Sequence, residues 1–329
     1  MELAAVVVVP EKEFLVMPQE TQADVAVNGA SGSQYSSLLP ILGNDVLHTW
    51  SQRIRKLGVQ SFWLTSDARD QNHIYPAVDD FVDHGIERLL MIKLKSYAEM
   101  DLEDLIRFHC ESRSSITEAR DARGYLGVSV LDRSALRGSR ERALPFHVPT
   151  AGQRRTYPFS GYAKRILSPR ERQELVGDAL TGACAMRPSG NEIRQQVWIG
   201  KDVRIASSAR IIGPTFIGDR TVIREGATVG PFASVECDCV IDSGCTVERS
   251  TLLPGTYLAP GLLIQDALVD GGSLQHLTCG VVADLQAGGL ACRIPTRQSR
   301  PVTSGERENS IVSRIDSSWS FEKWHEMAL

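Results

Sequence analysis

From Val197 onward the apolar positions of the chain recur in steps of six. Counting in sixes from Ile199 gives Ile199, Ile205, Ile211, Ile217, Ile223, Val229, Val235, Ile241, Val247 and Leu253, all aliphatic. Four places after each stand Val203, Ala209, Thr215, Thr221, Ala227, Ala233, Cys239, Cys245, Thr251 and Tyr257, small or β-branched apart from the last. A hexad built as a short strand plus a tight corner accounts for both columns. Three hexads close one triangular coil, the large aliphatic fills its interior, and the small residue fits beside it near the corner. Gly200, Gly218, Gly226, Gly230 and Gly244 fall beside the predicted corners, where glycine relieves the turn. Successive coils then pair backbone to backbone, which satisfies the interior N–H and C=O groups. The register weakens after Leu258, and Leu262–Leu277 predicts one last, irregular coil. The pattern predicts a parallel β-helix over residues 197–280.

Upstream the pattern changes to alternating strands and helices. Leu3–Val9, Val59–Leu64, Ile86–Ile92, Ser115–Ala119 and Tyr125–Leu131 read as strands. Val46, Leu47, Trp50, Ile54 and Leu57 share one face of a helix that Gly58 ends. A short helix is predicted around Ala77–Asp83, stopped by Gly85, and an amphipathic one over Asp101–Glu111 with Asp101 as cap. Alternation of this kind predicts a mostly parallel sheet covered by helices. Residues 136–165, rich in Arg and Pro, read as irregular. Ser168-Pro169-Arg170-Glu171 then opens a helix with a capping box, running through Leu175, Val176 and Leu180 to Gly182. The expected division is an α/β domain over 1–165, a connecting helix and linker over 166–196, the β-helix over 197–280 and a polar tail over 281–329.

Composition narrows the function classes. The chain has 329 residues, enough for two domains, and a net charge of −4 without a basic cluster. Neither nucleic acid nor an anionic membrane surface is favoured as a partner. No apolar run approaches the roughly 18 residues that span a bilayer. The apolar start lacks a basic leader and reads as a strand, not a signal peptide. Seven cysteines, an odd number, fit reduced thiols in a cytosol, so the expectation is a cytoplasmic protein. Cys239 and Cys245 occupy small inward positions of consecutive hexads, on different faces of the coil, and read with Cys237 as packing thiols rather than zinc ligands. Residues 197–264 contain no histidine, and His276 lies at the frayed end. That argues against a coil-surface general base for acyl transfer, which stays as a second alternative function. The segment Pro295–Ser318 is polar and reads as disordered. It leads to Trp319, Phe321, Trp324 and Met327, aromatic and apolar anchors for a partner, a second subunit or the chain's own surface.

An α/β domain followed by hexapeptide repeats resembles the sugar-1-phosphate nucleotidylyltransferases, the NDP-sugar pyrophosphorylases such as mannose-1-phosphate guanylyltransferase. Leu38-Leu39-Pro40-Ile41-Leu42-Gly43, followed by the helix to Leu57-Gly58-Val59, looks like that family's P-L-L-P-V-L-G passage. Asp101–Leu105 with Phe108-His109 resembles the stretch after its metal-binding strand, and Gly124–Val128 a strand beside its sugar pocket. The resemblance implies a Rossmann-like nucleotidyltransferase-type domain and a left-handed β-helix. It also implies attack of a sugar phosphate on a nucleoside triphosphate, with charge neutralisation supplying most of the catalysis.

The residues that would handle the phosphates depart from that pattern. Between Pro10 and Gly43 the only basic residue is Lys12, against Glu11, Glu13, Glu20 and Asp24. The family's lysine position aligns with Ser36. After the third strand, where an Asp binds the metal in the family, the chain reads Met91-Ile92-Lys93-Leu94-Lys95, and an ammonium repels Mg²⁺. Asn28-Gly29-Ala30-Ser31-Gly32-Ser33 remains as a phosphate-loop candidate through Asn28, Gly29, Ser31 and Gly32; a turn before Leu38 is the competing reading. Lys93 and Lys95 are candidates for holding a phosphate without metal, or an exposed strand-end pair. Three losses of charge logic point to a degenerate homologue, a binding, regulatory or scaffold subunit in sugar-nucleotide or surface-polysaccharide metabolism. Its expected ligand is a sugar nucleotide or sugar phosphate, and its expected partner is a second copy or a catalytic homologue. The alternative is an active nucleotidylyltransferase with a rebuilt site, in which Glu99, Asp101 or Glu103 would hold Mg²⁺.

Overall fold

The structure is a computed structural model that describes residues 3–9, 39–44, 46–59, 62–66, 86–136 and 153–294. The N-terminal region is built on a six-stranded sheet. Its strands are β1 (Leu3–Val9), β2 (Phe62–Ser66), β3 (Arg88–Lys93), β5 (Ile116–Asp121), β6 (Gly124–Asp132) and β7 (Arg154–Pro158), in the order β2-β1-β3-β6-β5-β7. A separate antiparallel pair joins β4 (Ser96–Ala98) to β8 (Ala163–Arg165). In the centre of the sheet Leu89, Leu90 and Ile92 on β3 and Val128 and Val130 on β6 are fully buried.

The sheet is mixed where a mostly parallel one was expected. β1 runs parallel to β2 and β3, and β5 parallel to β7, but β6 is antiparallel to both β3 and β5. The reason is local. Only Ala122 and Arg123 separate β5 from β6, far too few residues for the crossover that parallel strands need. Asp121 Oδ1 accepts the Arg123 N–H at 2.8 Å, and Gly124 takes a left-handed φ of 115° to close the hairpin. Nor is 136–165 irregular throughout, since it supplies β7 and β8, following a single helical turn at Arg133–Leu136.

The predicted helices that fall on described residues form close to where they were read. Helix α1 (Val46–Lys56) buries Val46, Leu47, Trp50 and Ile54, and Gly58 follows it with φ 81°. Helix α2 (Leu102–Glu111) starts on Asp101, whose carboxylate accepts the N–H of Glu103 and Asp104. The single turn at Arg133–Leu136 counts as α3, and the connecting helix is α4 (Pro169–Thr181). In its capping box Ser168 Oγ accepts the Glu171 N–H at 3.2 Å while Glu171 accepts the Leu167 N–H at 3.0 Å. Gly182 ends it in the left-handed conformation. The helix predicted around Ala77–Asp83 lies outside the described residues.

The repeats form a parallel β-solenoid of four coils with three faces. Coil 1 carries strands Val197–Ile199, Arg204–Ile205 and Arg210–Ile211; coil 2 Thr215–Ile217, Val222–Ile223 and Thr228–Val229. Coil 3 carries Ala233–Val235, Val240–Ile241 and Thr246–Glu248; coil 4 Thr251–Leu252, Thr256–Leu258 and Leu263–Gln265. Ile217, Ile223, Val229, Val235, Ile241 and Val247 are buried inside with Ala227, Ala233, Cys239 and Cys245 beside them. The hexad step breaks after Val247 and again after Ile264, where Val269 stands opposite Leu252. Ala233 pairs with Thr215, eighteen residues back, whereas Thr251 pairs with Ser234, seventeen back. One corner is a residue short, so Leu252 rather than Leu253 fills the interior, and Thr256 rather than Tyr257 takes the small position. In the next corner Thr256 Oγ1 donates to the Leu253 carbonyl at 2.7 Å, while the Tyr257 hydroxyl donates to Asp242 at 3.0 Å.

Both ends of the solenoid receive strands from outside the repeat. Strand β9 (Asn191–Arg194) pairs antiparallel with Val197–Ile199 of coil 1. At the other end, within the span read as a last, irregular coil, Ala267–Asp270 continues the stack parallel to Thr251–Leu252 and turns back as a hairpin with Ser273–His276. Ala291–Arg293 returns to pair antiparallel with Thr256–Leu258.

Candidate functional site

The most constrained polar cluster lies where the α/β region meets the solenoid. Glu236 sits on the outward column of one solenoid face, a column that holds Gly200 and Gly218 in the two preceding coils. It is fully buried, because the turn Pro40–Asn44 covers it. Its Oε1 accepts the Leu42 N–H at 2.8 Å and its Oε2 the Gly43 N–H at 2.9 Å. Ser234 Oγ donates a third hydrogen bond to Oε1 at 3.0 Å. From α4 the buried Arg172 guanidinium donates to the Leu39 and Pro40 carbonyls, so one turn is gripped at both its donors and its acceptors.

The conformation of that turn follows from its sequence. Ile41 and Asn44 exchange backbone hydrogen bonds at 2.8 and 3.0 Å, and Leu42 and Gly43 both take positive φ, of 55° and 72°. Gly43 is required by space as well, since a Cβ there would lie 1.9 Å from Ser189 Oγ. Ser189 in turn donates its N–H to the Leu42 carbonyl at 2.9 Å. Burial pushes the Glu236 carboxyl above its ordinary range, opposed by Arg172 and by the hydrogen bonds from Gly43, Ser234 and Leu42. The same burial lowers Arg172 to about 10, with Glu236 acting to raise it. Around this pair Phe216 enters the core of the α/β region, Trp198 packs against that core, and Gln173 bonds Thr251 Oγ1 and the Phe232 carbonyl.

The residues singled out from sequence lie elsewhere. Asn28, Gly29, Ser31 and Gly32 fall outside the described residues. Lys93 ends β3 half-buried, and Gly127 (φ 85°) passes so close that a Cβ would stand 2.5 Å from the Lys93 carbonyl. Lys95 follows in the turn to β4, its N–H donating to Lys93 and its carbonyl accepting from Ile166 at 3.0 Å. Glu99 Oε1 accepts the Tyr97 hydroxyl at 3.2 Å and the Ala185 N–H, tying β4 to the segment after α4. Burial, with Glu99 next in effect, pushes the Tyr97 hydroxyl up to about 12. Asp101 Oδ1 caps α2 through the Glu103 N–H at 2.9 Å. Lys93, Lys95, Glu99 and Asp101 thus share one connection from β3 to α2, its two carboxylates engaged with backbone N–H groups.

Of the cysteines, Cys239 and Cys245 are fully buried and direct their thiols to the Leu253 and Ala259 carbonyls, at 3.3 and 3.0 Å. His276 Nδ1 accepts the Thr278 N–H at 3.2 Å and closes a turn. Glu236 and Arg172 went unread in the sequence. The available signal was a carboxylate at a position held by glycine in the two preceding coils.

These features define a mixed α/β domain docked on a parallel β-solenoid, and no described helix is long and apolar enough to cross a membrane. No protein-family model matches the chain, and no curated protein does. Among solved structures that match is the crystal structure of HddC from Yersinia pseudotuberculosis, 12% identical with a TM-score of 0.37. The superposition takes in 53% of this chain and 97% of that one. So distant a likeness transfers no activity.

Proposed function

We propose that the chain is a catalytically silent relative of the sugar-1-phosphate nucleotidylyltransferases, with a Rossmann-like N-terminal domain and a left-handed solenoid. In this reading it serves as a binding, regulatory or scaffold subunit in sugar-nucleotide or surface-polysaccharide metabolism. The observation that carries the reading is the charge along the β3-to-α2 connection. Where the family would place a metal-binding carboxylate stand Lys93 and Lys95. The carboxylates that follow, Glu99 and Asp101, hold the Ala185 N–H and the first turn of α2. A hard cation such as Mg²⁺ wants carboxylate oxygens, water and substrate phosphate in octahedral array. Ammonium groups and a helix cap do not fit that shell.

The resemblance of Leu38–Gly43 to the family's P-L-L-P-V-L-G passage supports the same reading from another side. Its two free-standing N–H donors, on Leu42 and Gly43, are taken by Glu236 of the chain's own solenoid, which suits a rigid two-part scaffold. A sugar nucleotide or sugar phosphate remains the expected ligand, and a second copy or an active homologue the expected partner. The test is to incubate the protein with sugar-1-phosphates, common nucleoside triphosphates and Mg²⁺ and to assay pyrophosphate. The expected outcome is no release above background, together with a raised melting temperature when a sugar nucleotide binds the folded state. Sustained release that Asp101→Asn abolishes would overturn the proposal. Asparagine caps helices about as well as aspartate, so that variant keeps α2 intact.

A further inference from the structure

The six-stranded sheet ends on β7, and no strand pairs with its outer edge among the described residues. The Gln153 carbonyl accepts the Ile116 N–H at 3.3 Å, and the Phe159 N–H donates to the Arg120 carbonyl at 2.8 Å, so the odd-numbered residues of β7 face β5. Alternation then turns the Arg154 and Thr156 N–H groups outward, with the carbonyls of Arg154, Thr156 and Pro158. An edge of this kind is a template for strand addition. Arg154, Arg155, Thr156 and Pro158 are exposed, and Tyr157 is half-buried. The Tyr157 ring packs edge-on against Phe108 of α2, with centroids 5.4 Å apart, and its hydroxyl donates to Asp104.

Arginine and proline often guard an edge against pairing. On β7 their order is instead self-complementary. A twofold axis through Thr156 sets it against Thr156 of a second copy, where the two exchange both bonds of a hydrogen-bonded pair. The Arg154 N–H then meets the Pro158 carbonyl of the second copy, and the donor that proline lacks falls opposite the Arg154 carbonyl alone. Arg155 lies opposite Tyr157 of the second copy, at the spacing of about 4.5 Å between Cα atoms of a non-hydrogen-bonded pair. The period of two puts Arg155 on the same side of the sheet as Tyr157. Its guanidinium therefore comes beside a tyrosine ring whose hydroxyl rests on the Asp104 carboxylate. No arginine of the strand faces an arginine. On the other side of the sheet Arg154 has Glu118 of its own chain at 3.6 Å.

We infer that β7 is an interface between two copies of this chain, joined antiparallel about Thr156 into one continuous sheet. The choice of occupant rests on this register together with the functional reading, which expects a second copy or an active homologue as partner. The pyrophosphate assay tests that reading without involving β7, so either can fail alone. An acidic strand from another protein would match the arginines but set further carboxylates against Asp104 and Glu118.

Sedimentation velocity and hydrogen exchange on the full chain test this. A reversible dimer should form. The Arg154 and Thr156 amides should exchange at least roughly tenfold more slowly at high protein concentration than at low, while the Tyr157 amide, which faces β5, stays unchanged. Thr156→Pro removes the central outward donor without breaking a bond to β5, as an edge strand permits, and should weaken the dimer at least roughly tenfold. Arg155→Glu, at an exposed position, sets a carboxylate against Asp104 of the second copy and should do the same. A chain that stays monomeric up to about 1 mM would sink the inference. So would a dimer indifferent to both variants, or protection at Thr156 that does not depend on concentration, the sign of cover from within the chain. Slowed exchange confined to β2 would overturn it in favour of the opposite edge of the sheet.

Discussion

In the solenoid the surroundings of each residue are set by residues one coil before and after it. In the α/β region they are set by strands that lie far apart in sequence. Ile241 has Ile223 on one side and Leu258 on the other, both in the same kind of site. Leu90 on β3 lies between Ala5 of β1 and Val130 of β6, neighbours that no period relates. The first arrangement makes stability nearly a sum of neighbour terms, the second makes it cooperative across a sheet. The junction at Glu236 is where the two kinds of order are tied together.

The sharpest way to break the comparison is at that tie. Glu236→Ala removes the carboxylate that faces Arg172 and leaves the Leu42 and Gly43 N–H groups buried without an acceptor. The loss should be roughly 3–5 kcal/mol in denaturant unfolding. It should also split one transition into two as the regions unfold separately. Next comes Ile241→Ala, expected to cost about 2–5 kcal/mol through lost burial and a cavity. Hydrogen exchange should show the damage confined to coils 2–4, whereas Leu90→Ala should weaken protection across the whole six-stranded sheet. Damage from Ile241→Ala that spreads evenly through both regions would remove the distinction.

Two smaller effects sharpen the picture. Ser168→Ala deletes one half of the capping box on α4, the helix that carries Arg172 and Gln173 to the solenoid, and should cost about 1 kcal/mol. Thermal unfolding in parallel with the parent protein reads it. The smallest effect concerns acid. Asp121, on the β5–β6 hairpin, is held by Arg165 through hydrogen bonds of 2.8 and 3.0 Å, and this partner depresses its carboxyl below the ordinary range. A depressed carboxyl stabilises the fold above its unfolded-state pKa, and that stability is lost as the pH falls through the folded-state value. Asp121→Asn should therefore lower stability by under about 1 kcal/mol near neutrality, and by less again in acid, flattening the acid limb of a stability profile.

Much of the solenoid was legible because its physics is periodic. From Ile199 to Val247 every large inward residue falls on the step of six. The step fails at Leu253 because the corner after Val247 is one residue short. Leu252 and Leu253 are both leucine, so composition alone carries no mark of the slip. In the α/β region Asp101, Ser168 and Gly182 announced their caps through residue type. The mixed sheet is written in the two-residue connection Ala122-Arg123, which allows only a hairpin, whereas the alternation of strands and helices elsewhere points to parallel pairing. Glu236 could not be matched with Leu42 and Gly43 from sequence, since almost two hundred residues separate them and their bond depends on how two folded bodies meet.

That meeting draws on every rung. Trp198 from coil 1, Phe216 from coil 2, Glu236 from coil 3 and Thr251 from coil 4 all touch the α/β region or its connecting helix. The stack therefore behaves like a ruler whose marks are already matched to an object. Adding or removing one whole rung would leave each coil content with its neighbours, yet shift every later mark by the height of a strand spacing. Repeat proteins usually grow and shrink by such units at little cost, but here the docked partner fixes the count.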